Sequence, residues 1–130
     1  MSHLKAFNTQ LINFVNDLVR QYPKDGEFIL YGEAIETLVK IDRKKCLTNF
    51  IKYVYPHKDM IMKEDESYFI KYDVSGHDES TDDINKLSDK IKNIWQTDCN
   101  IDTKKTIWKY FKVLILLSEK AVIQIGALSS

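Results

Sequence analysis

An apolar stripe at helical spacing in the last third of the chain constrains the fold more than any other feature. Between Thr103 and Ala127 the apolar positions recur in steps of three and four, at Ile107, Tyr110, Phe111, Leu114, Ile115, Leu117, Ala121 and Ile125. That spacing is the period of one α-helical face. A helix with so wide an apolar face must be covered by neighbouring elements. The stripe therefore predicts a packed helical domain.

Two further helices are predicted at the start of the chain. A stripe of the same period favours a first helix from about Leu4 to Gln21, which ends before Pro23 because the residue preceding a proline avoids helical angles. A second helix begins at Asp25 or Gly26. Gly32 lies on its apolar face, where the missing side chain would let a neighbouring helix approach closely.

The centre of the chain predicts shorter elements. Asp42 is a good N-cap for a third helix over residues 43–55, and residues 56–62 form a connector with room for a short helical turn. Asp65 is placed to cap a short helix that carries Tyr68 and Phe69. The alternative there is a strand, since Tyr-Phe-Ile is β-prone, but no partner strand is apparent elsewhere.

A polar loop precedes the last two helices. Residues 73–80 form this loop, and the Ser80–Asp83 run then begins a helix with hydroxyl caps and acids in its first turn. Its apolar stripe consists of Ile84, Leu87, Ile91, Ile94 and Trp95. Residues 97–101 form a linker, Asp102 or Thr103 caps the last helix, and a short tail over residues 126–130 is expected to fray.

The fold class predicted from these patterns is all-α, a single-domain bundle of five to seven helices with a long C-terminal helix. One domain, residues 1–130, suits the length. Only four glycines and two prolines are present, too few for the frequent turns of an all-β fold. The central helices are expected to contribute seven core side chains: Phe7, Leu11, Phe14, Leu18, Phe111, Leu114 and Leu117.

The net charge is zero, with 19 basic and 19 acidic residues, but the charges are segregated along the chain. Basic regions at residues 40–58 and 103–120 flank an acidic region at residues 59–83. Such patches suit oppositely charged partners or copies of the same chain. An accessory nucleic-acid-binding role is the alternative function, since lysines hold phosphates and an exposed aromatic ring stacks on bases. Its candidate residues are Arg43, Lys44, Lys45, Lys52, Lys105, Lys109 and Lys112.

Features of the known catalytic and metal-binding classes are scarce. The three histidines are isolated, so no zinc-ligand spacing occurs. A calcium loop with Gly76 at its glycine position would put Lys71 where the first carboxylate is required. The glycines are isolated, so there is no phosphate loop, dinucleotide fingerprint or nucleophile elbow. We therefore expect a non-enzymatic protein with no metal and no cofactor.

Cysteine use and hydropathy bear on the compartment. Two cysteines do not make a disulfide framework, and Cys46 lies among apolar helical positions, as a buried thiol would. The first residues lack the apolar core of a signal peptide, and no run of eighteen apolar residues exists. We expect a protein that is not secreted, has no membrane span and lies in a reducing compartment.

Protein–protein contact is the function class that the aromatic residues favour. Seven tyrosines and two tryptophans are many for a small domain. Several fall beside the best apolar stripes, where large amphipathic rings often anchor an interface. The candidate interaction patch consists of Trp108, Tyr53, Tyr55 and Tyr72, and the partner is an unidentified protein or a second copy of the chain. The same rings would equally suit the edge of the core.

Three blocks carry a resemblance to a known group of proteins. They are the Phe7-x3-Leu11-x2-Phe14-x3-Leu18-x3-Tyr22-Pro23 pattern, the Asp65–Phe69 patch and the Ile107–Leu114 block. In these the chain resembles small helical proteins encoded by giant nucleocytoplasmic DNA viruses of algae and amoebae. The resemblance implies a viral protein in the host cytoplasm or the virion, either a virion component or a regulator of host or viral machinery. Viral bundles related to apoptosis regulators agree in size, but their Asn-Trp-Gly-Arg type signature is absent.

Overall fold

The computed structural model describes residues 2–70 and 83–129, with side chains described as far as Gly126. Within these ranges the chain forms seven α-helices and one 3-10 turn, and no strand. The predicted all-α class is therefore confirmed. In chain order the elements are α1 (His3–Gln21), α2 (Gly26–Ile41), α3 (Lys45–Tyr53), the 3-10 turn (Tyr55–His57), α4 (Lys58–Met62), α5 (Ser67–Ile70), α6 (Asp83–Thr97) and α7 (Ile101–Ser129).

The first and last helices form a central antiparallel pair. At one end the backbone N–H of His3 donates to Gln124 Oε1 over 2.9 Å. At the other end the Thr103 hydroxyl donates to the side-chain carbonyl of Gln21. Between these ends the Tyr110 hydroxyl donates to Asp17. Polar bonds along the full length of α1 therefore set the register of α7 against it.

The pair is covered by the remaining helices, and together they enclose one core. The side chains of Phe7, Leu11, Phe14, Leu18, Phe111 and Leu114 are buried as predicted, whereas Leu117 is only partly buried. The stripe of α6 is buried too, and α5 and α6 reach α7 through the ring contacts of Phe69 and Trp95 with Trp108. The reduced thiol of Cys46 lies in the same core, as its position predicted.

Local capping explains several boundaries. The side chain of Asp25 accepts the N–H of Glu27 and caps α2. Asp65 accepts the N–H of Ser67 just before α5. The segment with Tyr68 and Phe69 is a helix, as predicted, and not the alternative strand. The absent side chain of Gly32 brings α2 against α1, since a Cβ there would lie 3.3 Å from Val15 Cγ1.

Two predicted helix starts were wrong. The third helix begins at Lys45 rather than Arg43, because Asp42 accepts the N–H of Lys44 in a turn before the helix. The last helix begins at Ile101, because Asn100 Oδ1 accepts the N–H of Thr103 and so takes the capping role predicted for Asp102 or Thr103. At its other end this helix extends to Ser129, and the fraying expected over residues 126–130 stays a prediction.

Some predictions lie outside the described residues. They are the polar loop at residues 73–80 with its rejected calcium register, the start of α6 at Ser80, and Tyr72 of the proposed interaction patch.

Candidate interaction surfaces

Trp108 belongs to the core and not to an interaction patch. Only 6% of its surface is exposed, and its ring makes edge contacts with Phe69 at 5.0 Å and Trp95 at 5.2 Å between centroids. Phe69 and Trp95 are themselves stacked at 4.1 Å. The interpretation of Trp108 as an exposed anchor was therefore wrong, because α5 and α6 cover the flank of α7 on which it lies.

Tyr53 and Tyr55 are half-buried at the end of α3, away from Trp108. The Tyr55 hydroxyl donates to Glu119 Oε2 over 2.6 Å, and Lys58 Nζ lies 2.5 Å from the same oxygen. These two donors lower the pKa of the Glu119 carboxyl. Since eleven residues of α7, about 16 Å, separate Glu119 from Trp108, the proposed patch is not assembled as one surface.

The two basic regions named from the sequence lie at different ends of the α1–α7 pair. Asn8 near the start of α1 donates to the backbone carbonyl of Arg43 over 3.0 Å, whereas Gln21 at its end meets Thr103, close to Lys105. Thirteen residues of α1 separate these points, or roughly 20 Å along the helix axis. Lys44, Lys45 and Lys52 are exposed as well. The candidate nucleic-acid residues near Arg43 and those near Lys105 therefore do not form one continuous surface.

The solvent-facing side of α7 carries a mixed basic and apolar stripe, which we call the α7 outer face. It consists of Lys105, Lys109, Lys112, Leu116, Lys120 and Ile123. Successive residues of this set are four, three, four, four and three positions apart, so they share one helical face. Leu116 is 46% exposed and Ile123 is 72% exposed. Lys112 forms an ion pair with Glu64, whereas Lys105, Lys109 and Lys120 make no ion pair with any described residue.

A second exposed apolar surface lies on α2. Phe28 and Ile35 face the core, and the opposite side presents Leu30 and Ile41, which are 64% and 77% exposed. We call the stripe of Leu30, Ala34, Thr37 and Ile41 the α2 face. This face was not predicted, because the buried stripe of the helix is the stronger signal in the sequence. The signal was present, since a helix that is apolar on both sides implies more contact surface than the core uses.

A buried polar cluster lies where α6 meets α5 and the 3-10 turn. Lys92 is 8% exposed, and its Nζ lies 4.4 Å from the centroid of the Tyr68 ring. Burial lowers the pKa of Lys92 to about 8 and raises that of Tyr68 to about 12. Burial, and then the charge of Lys92, lower the pKa of His57, whose ring lies 5.1 Å from that of Tyr68. The cluster therefore brings together three ionisable side chains whose pKa values are shifted.

A groove of about 600 Å³ runs between α6 and the first turns of α2, with Lys92 in its wall. Its lining is of mixed charge, because Glu27 and Asp89 accompany the lysines. Lys90 in the same wall is held by Asp25 at 2.7 Å and Glu27 at 3.1 Å, and these partners raise its pKa. The groove therefore does not select one sign of ligand charge.

Among residues 2–70 and 83–129, no group of three or more His, Cys, Asp or Glu side chains is arranged to hold a metal ion. Within the same part of the chain, none of the helices combines the length and the apolar character needed to cross a membrane.

Comparison with known proteins adds no relative. No family model matches the chain, and no curated protein or solved structure shows significant similarity to it.

Proposed function

We propose that the protein is a non-enzymatic interaction module whose α7 outer face binds an acidic amphipathic helix of a protein partner. The observation that carries the proposal is that the lysines and the exposed Leu116 and Ile123 share one face of a single long helix. A helix with apolar side chains at positions i, i+3, i+4 and i+7 is the ligand that such a face fits.

Charge favours an acidic partner. Lys105, Lys109 and Lys120 are exposed, and the described acidic residue nearest to the stripe in sequence, Glu119, is already engaged by Tyr55 and Lys58. Carboxylates on the flanks of a partner helix would lie opposite the free ammonium groups. Such complementarity speeds association and rejects basic competitors.

Hydrophobic contact favours a protein over a nucleic acid. Leu116 and Ile123 would stay in water beside a phosphate backbone, whereas a partner helix would bury them at about 25 cal/mol per Å² of apolar surface. Base stacking has no support on this face, because Trp108 is buried and the Tyr110 hydroxyl bonds to Asp17. The alternative based on the two basic regions is therefore weaker.

The viral setting of the proposal, with action in the host cytoplasm or the virion, rests on the sequence resemblance alone.

A designed peptide tests the proposal directly. The probe is a fluorescent acidic helix with leucines at i, i+3, i+4 and i+7 and glutamates on both flanks. A scrambled peptide of equal composition and a short DNA duplex serve as comparisons. We expect anisotropy titrations to detect the amphipathic peptide, with no binding of the scrambled one.

Variants of the protein locate the site. Ile123→Glu should abolish binding of the peptide, and Lys109→Glu should weaken it and reduce its salt dependence. Ile41→Glu on α2 is the matched control, because it changes an equally exposed isoleucine on another surface. Binding of the duplex in preference to the peptide, with no effect of Ile123→Glu on either ligand, would refute the proposal.

A further inference from the structure

The α2 face is self-complementary about its own midpoint. Leu30 and Ile41 are equally far from the point between Ile35 and Glu36, and so are Ala34 and Thr37. All four lie on the side of α2 opposite the core. If a second α2 lies antiparallel with its midpoint at the same level, Leu30 of each copy meets Ile41 of the other. Ala34 then meets Thr37.

We propose that the chain associates with a second copy of itself through an antiparallel, two-fold symmetric contact between the α2 faces. A two-fold contact uses the same patch on both copies, so it requires a surface that fits its own inverted image. The pairing of Leu30 with Ile41 of the second copy meets this requirement and covers the two most exposed apolar side chains of α2.

Charge on the flank of α2 selects the same orientation. Glu33 and Lys40 are seven residues apart, so they lie on one flank beside the apolar stripe, and both are exposed. In the antiparallel pair this flank meets the same flank of the second copy. Glu33 then lies within about two residues, or ~3 Å along the axis, of Lys40 of the second copy. Symmetry forms this ion pair twice, whereas in a parallel two-fold pair the flanks of the two copies would lie on opposite sides of the contact and form no such pair.

The α7 outer face does not offer a comparable contact between copies. Its exposed charges are lysines, so two copies packed there would repel each other. The proposed dimer is therefore a property of α2 and is independent of the function proposed for α7.

The size of the α2 face predicts a weak dimer. Sixteen residues give a helix about 24 Å long, and one helix pair of this length buries less than the ~800 Å² per partner of a standard interface. We expect a dissociation constant on the order of 0.1–1 mM. Sedimentation of the wild-type chain should show a monomer at low concentration and a reversible dimer at high concentration.

Cysteine crosslinking tests the orientation. In a Cys99→Ser background, Leu30→Cys and Ile41→Cys are prepared as separate proteins, and Cys46 remains because it is buried. Mild oxidation should give a crosslinked dimer in a mixture of the two, because residue 30 of one copy faces residue 41 of the other. Neither protein alone should crosslink, since like positions lie about 16 Å apart along the pair. Thr9→Cys, on the exposed polar side of α1, is the control that measures crosslinking through chance collisions.

Charge reversal tests the flank. Glu33→Lys and Lys40→Glu should each weaken the dimer about two- to tenfold, and the double variant should restore it. A chain that stays monomeric at ~1 mM overturns the proposal, because at that concentration the expected dissociation constant requires a large fraction of dimer. A dimer in which Leu30→Cys crosslinks to itself overturns the orientation. Binding of the acidic peptide to α7 is measured on the same variants, so failure of one proposal is distinguishable from failure of the other.

Discussion

Replacing Lys92 by methionine should stabilise the protein at neutral pH. The ammonium group is buried, and burial lowers its pKa from 10.5 to about 8. A shift of this size corresponds to about 3 kcal/mol at 1.36 kcal/mol per pH unit, the free energy by which the folded state disfavours the charged form. Methionine has a similar length and no charge. Loss of the contact with the Tyr68 ring cancels about 1 kcal/mol of this stabilisation. We therefore expect the free energy of unfolding to rise by about 1–2 kcal/mol.

The pH dependence gives the sharper test, and its sign follows from the protonation states. Below about pH 8 both the folded and the unfolded chain carry the proton on Lys92, so the penalty for burying the charge is fully present. Between pH 8 and 10.5 the folded chain loses this proton first. The wild type should therefore gain stability relative to Lys92→Met over that interval, and the difference between the two should shrink and then reverse.

The measurement is guanidinium unfolding followed by circular dichroism from pH 7 to pH 10.5, for the wild type and for two variants. Lys90→Met is the matched control, because Lys90 lies on the same helix and its partners Asp25 and Glu27 raise its pKa, whereas burial lowers the pKa of Lys92. Its removal should destabilise the protein by up to about 1 kcal/mol at pH 7. If Lys92→Met is destabilising at pH 7 and the gap stays constant up to pH 10.5, the assignment of a buried, disfavoured charge is wrong.

Three further substitutions test the packing. Leu114→Asp places a charge where 1% of the side chain is exposed and should abolish the helical circular dichroism; a variant with unchanged signal and melting temperature would contradict the core assignment. Trp108→Ala should lower the free energy of unfolding by about 3–5 kcal/mol in denaturant titrations, whereas an interface residue would change stability little. Gly32→Leu should destabilise by about 1–3 kcal/mol because α1 is too close, and adding Val15→Ala should recover part of the loss; full stability of the single variant would show that α1 and α2 lie further apart.

Much of the architecture was predictable because local signals agreed with one another. The stripes of α1 and α6 repeat at the helical period, and residues such as Pro23 and Asp25 end and begin helices through their own backbone and side-chain chemistry. The glycine at position 32 marked a close helix contact for the same reason, since its effect depends on steric size alone.

The candidate surfaces were harder to predict because they depend on which flank of a helix its neighbours cover. Trp108 lies beside the main stripe of α7, and only the docking of α5 and α6 on that flank places it in the core. The reverse holds for Leu30 and Ile41, whose hydrophobicity predicts burial but which no described element covers. Burial of Lys92 has no local signature in the sequence either, because a charged residue predicts an exposed position.

The antiparallel pairing of α1 with α7 has a consequence for the order of events during synthesis. The ribosome completes α1 long before α7, yet the hydrogen bonds at both ends of α1 and the ring contacts of Phe14 are made with residues from Thr103 to Gln124. The part of the α1 stripe that faces α7 therefore stays uncovered until α7 has emerged from the ribosome. A chain stalled or truncated before α7 would expose this apolar surface to chaperones and proteases.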